Sequence, residues 1–294
     1  MREVLNYYFD KCSNLKWEIK FYCNFIFNKN FRINLSVNKK LKNIHKGERC
    51  FIVGNGPSLK KLNLSKITNE ITFTVNNIVN DRPIYETINT DYHILIDPLY
   101  YSLNDELPED DSIINILKTI NYKNKKPICF ISYEGFFSFS KYGLNKLLDL
   151  AYIYQHRTLT HNFSGKIDLS KNIPSSQNVI QAAIFTAIYM GIKEVYLIGV
   201  DMTSVFLTFE RNEFGEKEII KEFHAYKYNE NEMKKMLRDS YDNEGILRDY
   251  LKTFTLFRYI KQYCLKNNIK IFNATKGGGL DVFKRIDFDS LFIE

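Results

Sequence analysis

Residues 49–60 read Arg-Cys-Phe-Ile-Val-Gly-Asn-Gly-Pro-Ser-Leu-Lys. Cys50 to Val53 is a short apolar run of the kind that forms a strand buried on both faces. Gly54-Asn55-Gly56 then makes a turn, and Pro57-Ser58 opens a helix, with proline at the first helical position where its missing N–H would be unpaired anyway. Strand, glycine turn and helix start together present backbone N–H groups and a positive dipole end, which suits a phosphate or a carboxylate. Leu59 stands where the dinucleotide fingerprint has its third glycine, so the turn is not that motif. It is not a P-loop either, because the spacing and the terminal Gly-Lys-Ser/Thr are missing. The plainer reading is an ordinary strand-to-helix turn without a ligand.

Working outward, the pattern alternates between strands and helices in the α/β manner. After Cys50–Val53, strands are expected at Glu70–Val75, Tyr92–Ile96, Pro127–Ile131, Glu194–Val200 and Lys270–Phe272. Ser175 and Ser176 offer N-caps for a helix running through Ala182, Ala183, Ile184 and Ala187 to Met190, with Gly191 as the terminating residue. A second strong helix carries Leu247, Tyr250, Leu251, Phe254, Phe257 and Cys264 on one face. The polar stretch from about 203 to 243 has no sustained period, and so long a segment in a compact domain reads as a lid. Before the first strand, Leu5, Tyr8, Phe9, Cys12, Leu15 and Ile19 recur at helical spacing, with Trp17 and lysines nearby. That helix is expected to pack on the domain or on a second subunit; an interfacial membrane helix is the sharper alternative. The organisation is therefore a helical extension over 1–48 and one α/β domain over 49–294, with a mostly parallel sheet and a lid.

The chain has 294 residues, enough for one large α/β domain with a lid. Its 45% hydrophobic and 26% charged residues are ordinary for a globular protein. The net charge of +7 suits a protein that handles anions or sits near an acidic membrane surface. It is too diffuse for a nucleic-acid binder, since no dense basic stripe appears. Cys12, Cys23, Cys50, Cys129 and Cys264 are scattered and lack C-x-x-C spacing, and four of them lie in apolar or aromatic surroundings, which points to buried thiols in a reducing cytosol. The uncharged run from Phe21 to Phe27 is far too short to span a bilayer. We expect a cytoplasmic protein, with room for peripheral contact at the inner membrane and for a homo-oligomer.

In open parallel sheets ligands bind outside the carboxyl ends of the strands. This sequence places Gly54, Asn55, Gly56 and Ser58 there from the first strand, Asn76 and Asn77 from the second, and Asp97 from the third. The Glu194–Val200 strand adds Asp201, and the last strand adds Asn273, Thr275 and a glycine run. Short polar groups of this kind read ribose hydroxyls, base edges and phosphate oxygens. An NAD site would end strand two in a carboxylate, and this chain has Asn76. Turn-forming Asn, Asp and Gly also end strands that bind nothing. Among the histidines, His93 falls inside a strand and is expected to be packed in the core, while His45 and His156 read as surface residues. His224, in Phe-His-Ala-Tyr-Lys-Tyr, lies in the lid, where it could act as a general base near neutral pH or simply be solvated. The Asp287-Phe288-Asp289 pair lies near the C-terminus, away from the expected strand ends, and no metal-ligand spacing or G-x-S-x-G elbow is present.

The ordered set Phe-Ile-Val-Gly-Asn-Gly-Pro-Ser-Leu (51–59), Val-Asn-Asn (75–77), Ile-Asp-Pro (96–98) and Met-Gly-Ile-Lys-Glu-Val-Tyr-Leu-Ile-Gly-Val-Asp (190–201) resembles two related groups. One is the bacterial sialyltransferases of glycosyltransferase family 42. The other is the MptE-like family, which includes motility accessory factors and members described as 6-hydroxymethylpterin diphosphokinases. The resemblance covers roughly residues 49–283 and implies a Rossmann-like fold, a variant of the GT-A glycosyltransferase architecture. It implies that Asn55, Gly56 and Ser58 contact the phosphate and sugar of a nucleotide sugar, that Asn76 binds the ribose or base, and that the helix start at Ser175, Ser176 and Asn178 faces the donor. It further implies that His224 deprotonates the acceptor hydroxyl in a metal-independent, inverting transfer with no cofactor beyond the donor. This chain has Asp97 where the sialyltransferases have Asn, and Thr203 where they have the tyrosine two residues past the strand-end Asp. Tyr226 or Tyr228 is the substitute that could assist the departing phosphate.

The expectation is a bacterial glycosyltransferase for capsule or lipopolysaccharide. It would pass a sialic acid or related nonulosonate from a CMP-activated donor to a glycan or lipid-linked glycan acceptor. The alternatives are a magnesium-dependent pterin-type diphosphokinase using Asp97 and Asp201, and a non-catalytic nucleotide-binding subunit.

Overall fold

Cys50–Val53 is fully buried because both faces of the sheet are covered at its position, which is why the run is apolar without alternation. In the computed structural model, which describes residues 2–98, 120, 126–161, 163–203, 209–211, 217–219 and 243–293, the chain opens with α1 (Arg2–Phe27) and α2 (Lys29–Val37). It continues through β1 (Arg49–Val53), β2 (Ile71–Val75), α3 (Arg82–Thr87), β3 (Tyr92–Leu95), β4 (Ile128–Ser132) and α4 (Phe136–Lys141). Then follow β5 (Asp149–Arg157), β6 (Asn172–Pro174), α5 (Val179–Tyr189) and β7 (Glu194–Ile198). The short antiparallel pair β8 (Phe209–Arg211) and β9 (Lys217–Ile219) precedes α6 (Asn243–Lys266), β10 (Lys270–Asn273) and β11 (Lys284–Arg285). Nine strands form one sheet in the order β11-β10-β7-β1-β2-β3-β4-β5-β6, and every pairing is parallel. The protein is an α/β, Rossmann-like domain, as the alternating pattern predicts.

Side-chain alternation splits the core into two layers. Cys50 and Ile52 pack with Ala183, Ile184 and Ala187 of α5 and with Phe257 and Ile260 of α6. Phe51 and Val53 belong to the layer on the other side, where Phe51 packs against Tyr196, Phe288 and Phe292. Helix α5 is buried almost all round, and its first turn is closed by a capping box: Asn178 Oδ1 accepts from Gln181 N while Gln181 Oε1 accepts from Asn178 N. The cap is therefore Asn178, not Ser175 or Ser176. Only Asn178 has a glutamine three residues on; Ser175 Oγ and Ser176 Oγ instead donate to Gln155. Gly191, at φ +90°, ends the helix as expected.

Three other expectations are corrected. Pro57–Lys61 is a five-residue 3₁₀ turn, not an α-helix. Leu59 and Leu62, then Leu64 and Ile67, recur at three-residue spacing, and Asn63 caps a second 3₁₀ turn between them. Leu247 and Leu251 of α6 are exposed; the buried stripe runs instead through Thr253, Leu256, Phe257, Ile260 and Cys264. Cys12 and Cys23 are exposed rather than buried, because they lie on the outward side of α1, while Cys50, Cys129 and Cys264 are buried.

The N-terminal helices pack onto the β5–β6 end of the sheet. Phe21, Phe31 and Leu35 are buried, and Asn38 Nδ2 donates to Tyr152 O and Leu169 O at 2.7 and 2.8 Å. No helix among the described residues is long and apolar enough to cross a membrane.

Candidate functional site

The chain runs outward from β1 to β6, then crosses back through α5 to place β7 on the opposite side of β1. The sheet order reverses between β1 and β7, and the crevice at such a switch point is where open α/β sheets bind ligands. The two strand ends there are Gly54-Asn55-Gly56 and Gly199-Val200-Asp201.

These ends are locked together. Gly54 N donates to Ile198 O and Gly56 N to Gly199 O, each at 2.8 Å. A Cβ on Gly54 would lie 2.5 Å from Gly199 O, and one on Gly56 would lie 1.7 Å from Asp201 Oδ2. The glycines thus serve close approach of the two strand ends, and their N–H groups bond to β7. Ser58 Oγ, almost fully buried, donates to Asp201 Oδ2 at 2.7 Å. The Asp201 carboxyl therefore occupies the position at the start of the 3₁₀ turn where the sequence suggests an external anion. Burial raises the Asp201 pKa, only partly offset by the hydrogen bonds from Ser58.

That shift has a testable consequence. The folded chain holds the Asp201 proton more tightly than the unfolded one. The stabilisation is therefore complete below the ordinary carboxyl value of 3.8 and declines as pH rises from there through the raised folded pKa. Asp201→Asn keeps an acceptor for Ser58 without the charge. In urea unfolding the variant should approach wild type at acid pH and exceed it at neutral pH; parallel pH profiles would refute the assignment.

The last strand braces this crevice from the side. Thr275 Oγ1 accepts from Val200 N at 3.1 Å, and Asn273 Oδ1 accepts from Thr275 N while its Nδ2 donates to Leu280 O. Both side chains are buried. Gly279 N donates to Asp201 O, and the Arg285 guanidinium donates to the carbonyls of Thr275, Gly277 and Gly278. Asn273 and Thr275 thus hold the backbone around Asp201.

Two polar atoms at the crevice stay uncommitted. Asn55 Oδ1 and Asn76 Oδ1 are buried and have no hydrogen-bond partner. They end the adjacent strands β1 and β2. Asn76 sits in the left-handed region at φ +46°, which Asn tolerates better than most residues. His93 holds it there: Nε2 lies 3.0 Å from Asn76 O, which can only accept, so the proton is on Nε2 and Nδ1 accepts from the Thr74 hydroxyl at 2.7 Å. His93 is fully buried, as expected of a core histidine, but its prop under Asn76 was not legible. A histidine on the strand adjacent to an Asn-ended strand is the signal that would have revealed it.

Asn178 reaches the crevice, with Nδ2 3.8 Å from Sδ of Met202, the residue after Asp201. Thr203 is half-buried next to it, and Asp97 is exposed at the end of β3. Ser175 and Ser176 lie farther out, on Gln155 of β5. His224, Tyr226 and Tyr228 lie outside the described residues. Sequence reasoning also missed a second polar cluster at the β4 and β5 ends. Glu134 bonds His156 Nε2 at 2.5 Å and accepts from Ser132, and Trp17 stacks on the His156 ring at 3.8 Å. Burial alone would raise the Glu134 carboxyl, but the bonds from His156 and Ser132 hold it below its ordinary range.

A family model described as "6-hydroxymethylpterin diphosphokinase MptE-like" matches residues 24–205. The match begins within α1, ahead of the first strand, and ends just past Asp201. No curated protein matches the chain significantly.

Proposed function

The chain belongs to the MptE-like family, and from that premise we propose that it is a transferase whose β1/β7 crevice binds the nucleotide of an activated sugar. The donor is a CMP-linked nonulosonate and the acceptor a hydroxyl of a surface glycan. The reading rests above all on Asn55 Oδ1 and Asn76 Oδ1. Burying an amide oxygen without a partner costs about 1–3 kcal/mol, and two such atoms on adjacent strand ends at a switch point fit donors on a ligand. A ribose hydroxyl or the amino group of cytosine supplies such donors. Asp201 then orders the loop, with Ser58 bonded to it, and the N-terminus of α5 lies toward the anionic part of the donor.

Thermal shift with CMP, UDP, GDP and ATP tests the binding half of this reading. A nucleotide at one hundred times its Kd stabilises the fold by about 2.7 kcal/mol. We expect CMP to raise Tm, and Asn55→Ala together with Asn76→Gly to abolish the shift. Glycine at 76 keeps the positive φ available. A CMP shift that survives in the double variant, or the absence of any nucleotide shift, would sink the assignment.

The family's printed description favours a second reading, pyrophosphoryl transfer to a pterin. Such chemistry uses Mg²⁺ held by ionised carboxylates with free lone pairs. Asp201 suits that role poorly, since its Oδ2 already accepts from Ser58 and lies tight against Gly56. EDTA should therefore leave turnover intact, whereas it would abolish a diphosphokinase.

A further inference from the structure

Asn76 supplies one of the two acceptors on which the proposed site rests, yet its backbone stands at φ +46°, a conformation that side chains other than glycine disfavour. The neighbouring strand holds it there. Thr74 of β2 pairs with His93 of β3 in the parallel register, and the imidazole bridges that threonine and the carbonyl two residues on. Nδ1 lies 2.7 Å from Thr74 Oγ1, and Nε2 lies 3.0 Å from Asn76 O. A carbonyl only accepts, so the bridge exists in one neutral tautomer, with the proton on Nε2 and the Thr74 hydroxyl donating to Nδ1. The other neutral tautomer would turn a lone pair toward the Asn76 carbonyl. It would also leave the Thr74 hydroxyl, among the described residues, only Tyr92 O at 3.5 Å. Thr74 and His93 are fully buried, with the Tyr85 ring edge-on to the imidazole at 6.2 Å. Two apolar side chains would fill this layer and leave no polar group to satisfy. What the polar pair adds is a fixed direction for the Asn76 carbonyl, and with it the aim of the Asn76 side chain.

We propose that Thr74 and His93 are positioning residues for nucleotide binding: the Thr74 hydroxyl sets the His93 tautomer, and His93 holds Asn76 in the conformation that meets the ligand. The inference rests on the reading of Asn76 as a nucleotide contact. Both residues are buried beneath the crevice, so they act through Asn76 and not on the ligand itself. Without this relay Asn76 divides its time between the left-handed conformation and more accessible ones. The observed Kd then rises in inverse proportion to the fraction that stays competent.

Calorimetric titration with CMP and nitrogen NMR of the histidine rings test it on the full chain. Thr74→Val keeps the shape and loses the hydroxyl, so it should raise the CMP Kd about tenfold; Thr74→Ser should return it to within about twofold of wild type. His93→Gln, whose amide still donates to Asn76 O, should bind nearly as wild type, whereas His93→Phe should bind about tenfold more weakly or worse. In an Asn76→Gly background the same His93→Phe change should cost less than about twofold, because no side chain is left to aim. An equal cost in both backgrounds would mean a general loosening of the fold and would overturn the positioning role. The ring resonances should show His93 neutral and protonated on Nε2; a proton on Nδ1 would overturn the relay whether or not nucleotide binds. If wild type binds no nucleotide, the reading of the site falls and this proposal with it. If wild type binds CMP and neither Thr74→Val nor His93→Phe weakens it, the positioning role alone falls.

Discussion

Gly56→Ala is expected to destabilise the protein by about 3 kcal/mol or more, although the backbone there accepts any residue. Gly56 has φ −69° and ψ 148°, an extended conformation in which alanine is unstrained. On chain entropy alone the substitution would stabilise by about 0.4–1 kcal/mol. The opposite sign comes from packing: the new Cβ would lie 1.7 Å from Asp201 Oδ2 and 2.6 Å from Gly199 O. Asp201 must move, and Ser58 Oγ then loses its acceptor inside the core. Gly143→Ala is the matched control. Gly143 has φ +69° and open space around its Cβ direction, so alanine there carries only the left-handed backbone penalty of about 1–2 kcal/mol. Urea unfolding should rank Gly56→Ala well below Gly143→Ala. Asp201→Ala should be non-additive with Gly56→Ala, since one change removes the atom the other strikes. A Gly56→Ala protein as stable as wild type would mean that the Asp201 carboxyl does not sit against the loop.

That argument also marks where the sequence stops being informative. β1, β2, β3, β7 and α5 were legible because each is a mostly apolar or β-branched stretch of the right length, closed by Asn, Asp or Gly. β5 was not. Asp149–Arg157 has charged ends and follows a leucine-rich stretch, Leu144–Leu150, whose spacing does not suggest a strand. The polar residues that end the strands could be assigned to one edge, because parallel strands must share it. Their partners could not be assigned. Ser58 and Asp201 are 143 residues apart, and only the return of β7 beside β1 brings the carboxyl into the turn. The same local pattern, glycine turn and helix start, reads as an anion cradle whether the anion is a ligand or the chain's own aspartate. Asn273 and Thr275 repeat the lesson, since their spacing suits a ligand and their bonds go to Leu280, Val200 and each other.

His224→Ala is expected to lower turnover by about a hundred- to ten-thousandfold while nucleotide binding survives. Proton transfer from an acceptor hydroxyl needs a base with free lone pairs at neutral pH. Asp201 is 9% exposed, accepts from Ser58, and is pinned between Gly56 and the Gly278–Gly279 backbone, so it orders the loop and has no freedom to meet an acceptor. The other histidines with described contacts are engaged elsewhere. His93 bonds Thr74 and Asn76 in the core, His45 bonds the Tyr92 hydroxyl, His156 bonds Glu134 under Trp17, and the His161 ring packs edge-on against Tyr259. His224 stands about midway along the polar segment that leaves the crevice at Thr203 and ends at the start of α6. A histidine base would give kcat an acid limb, because protonation removes the lone pair that accepts the hydroxyl proton. His224→Ala should erase that limb along with most of the rate, and Asp201→Asn should retain it. If the limb persists in His224→Ala and Asp201→Asn loses turnover instead, the base is Asp201. If His224→Ala leaves cellular glycan unchanged, the chain binds nucleotide without catalysing transfer.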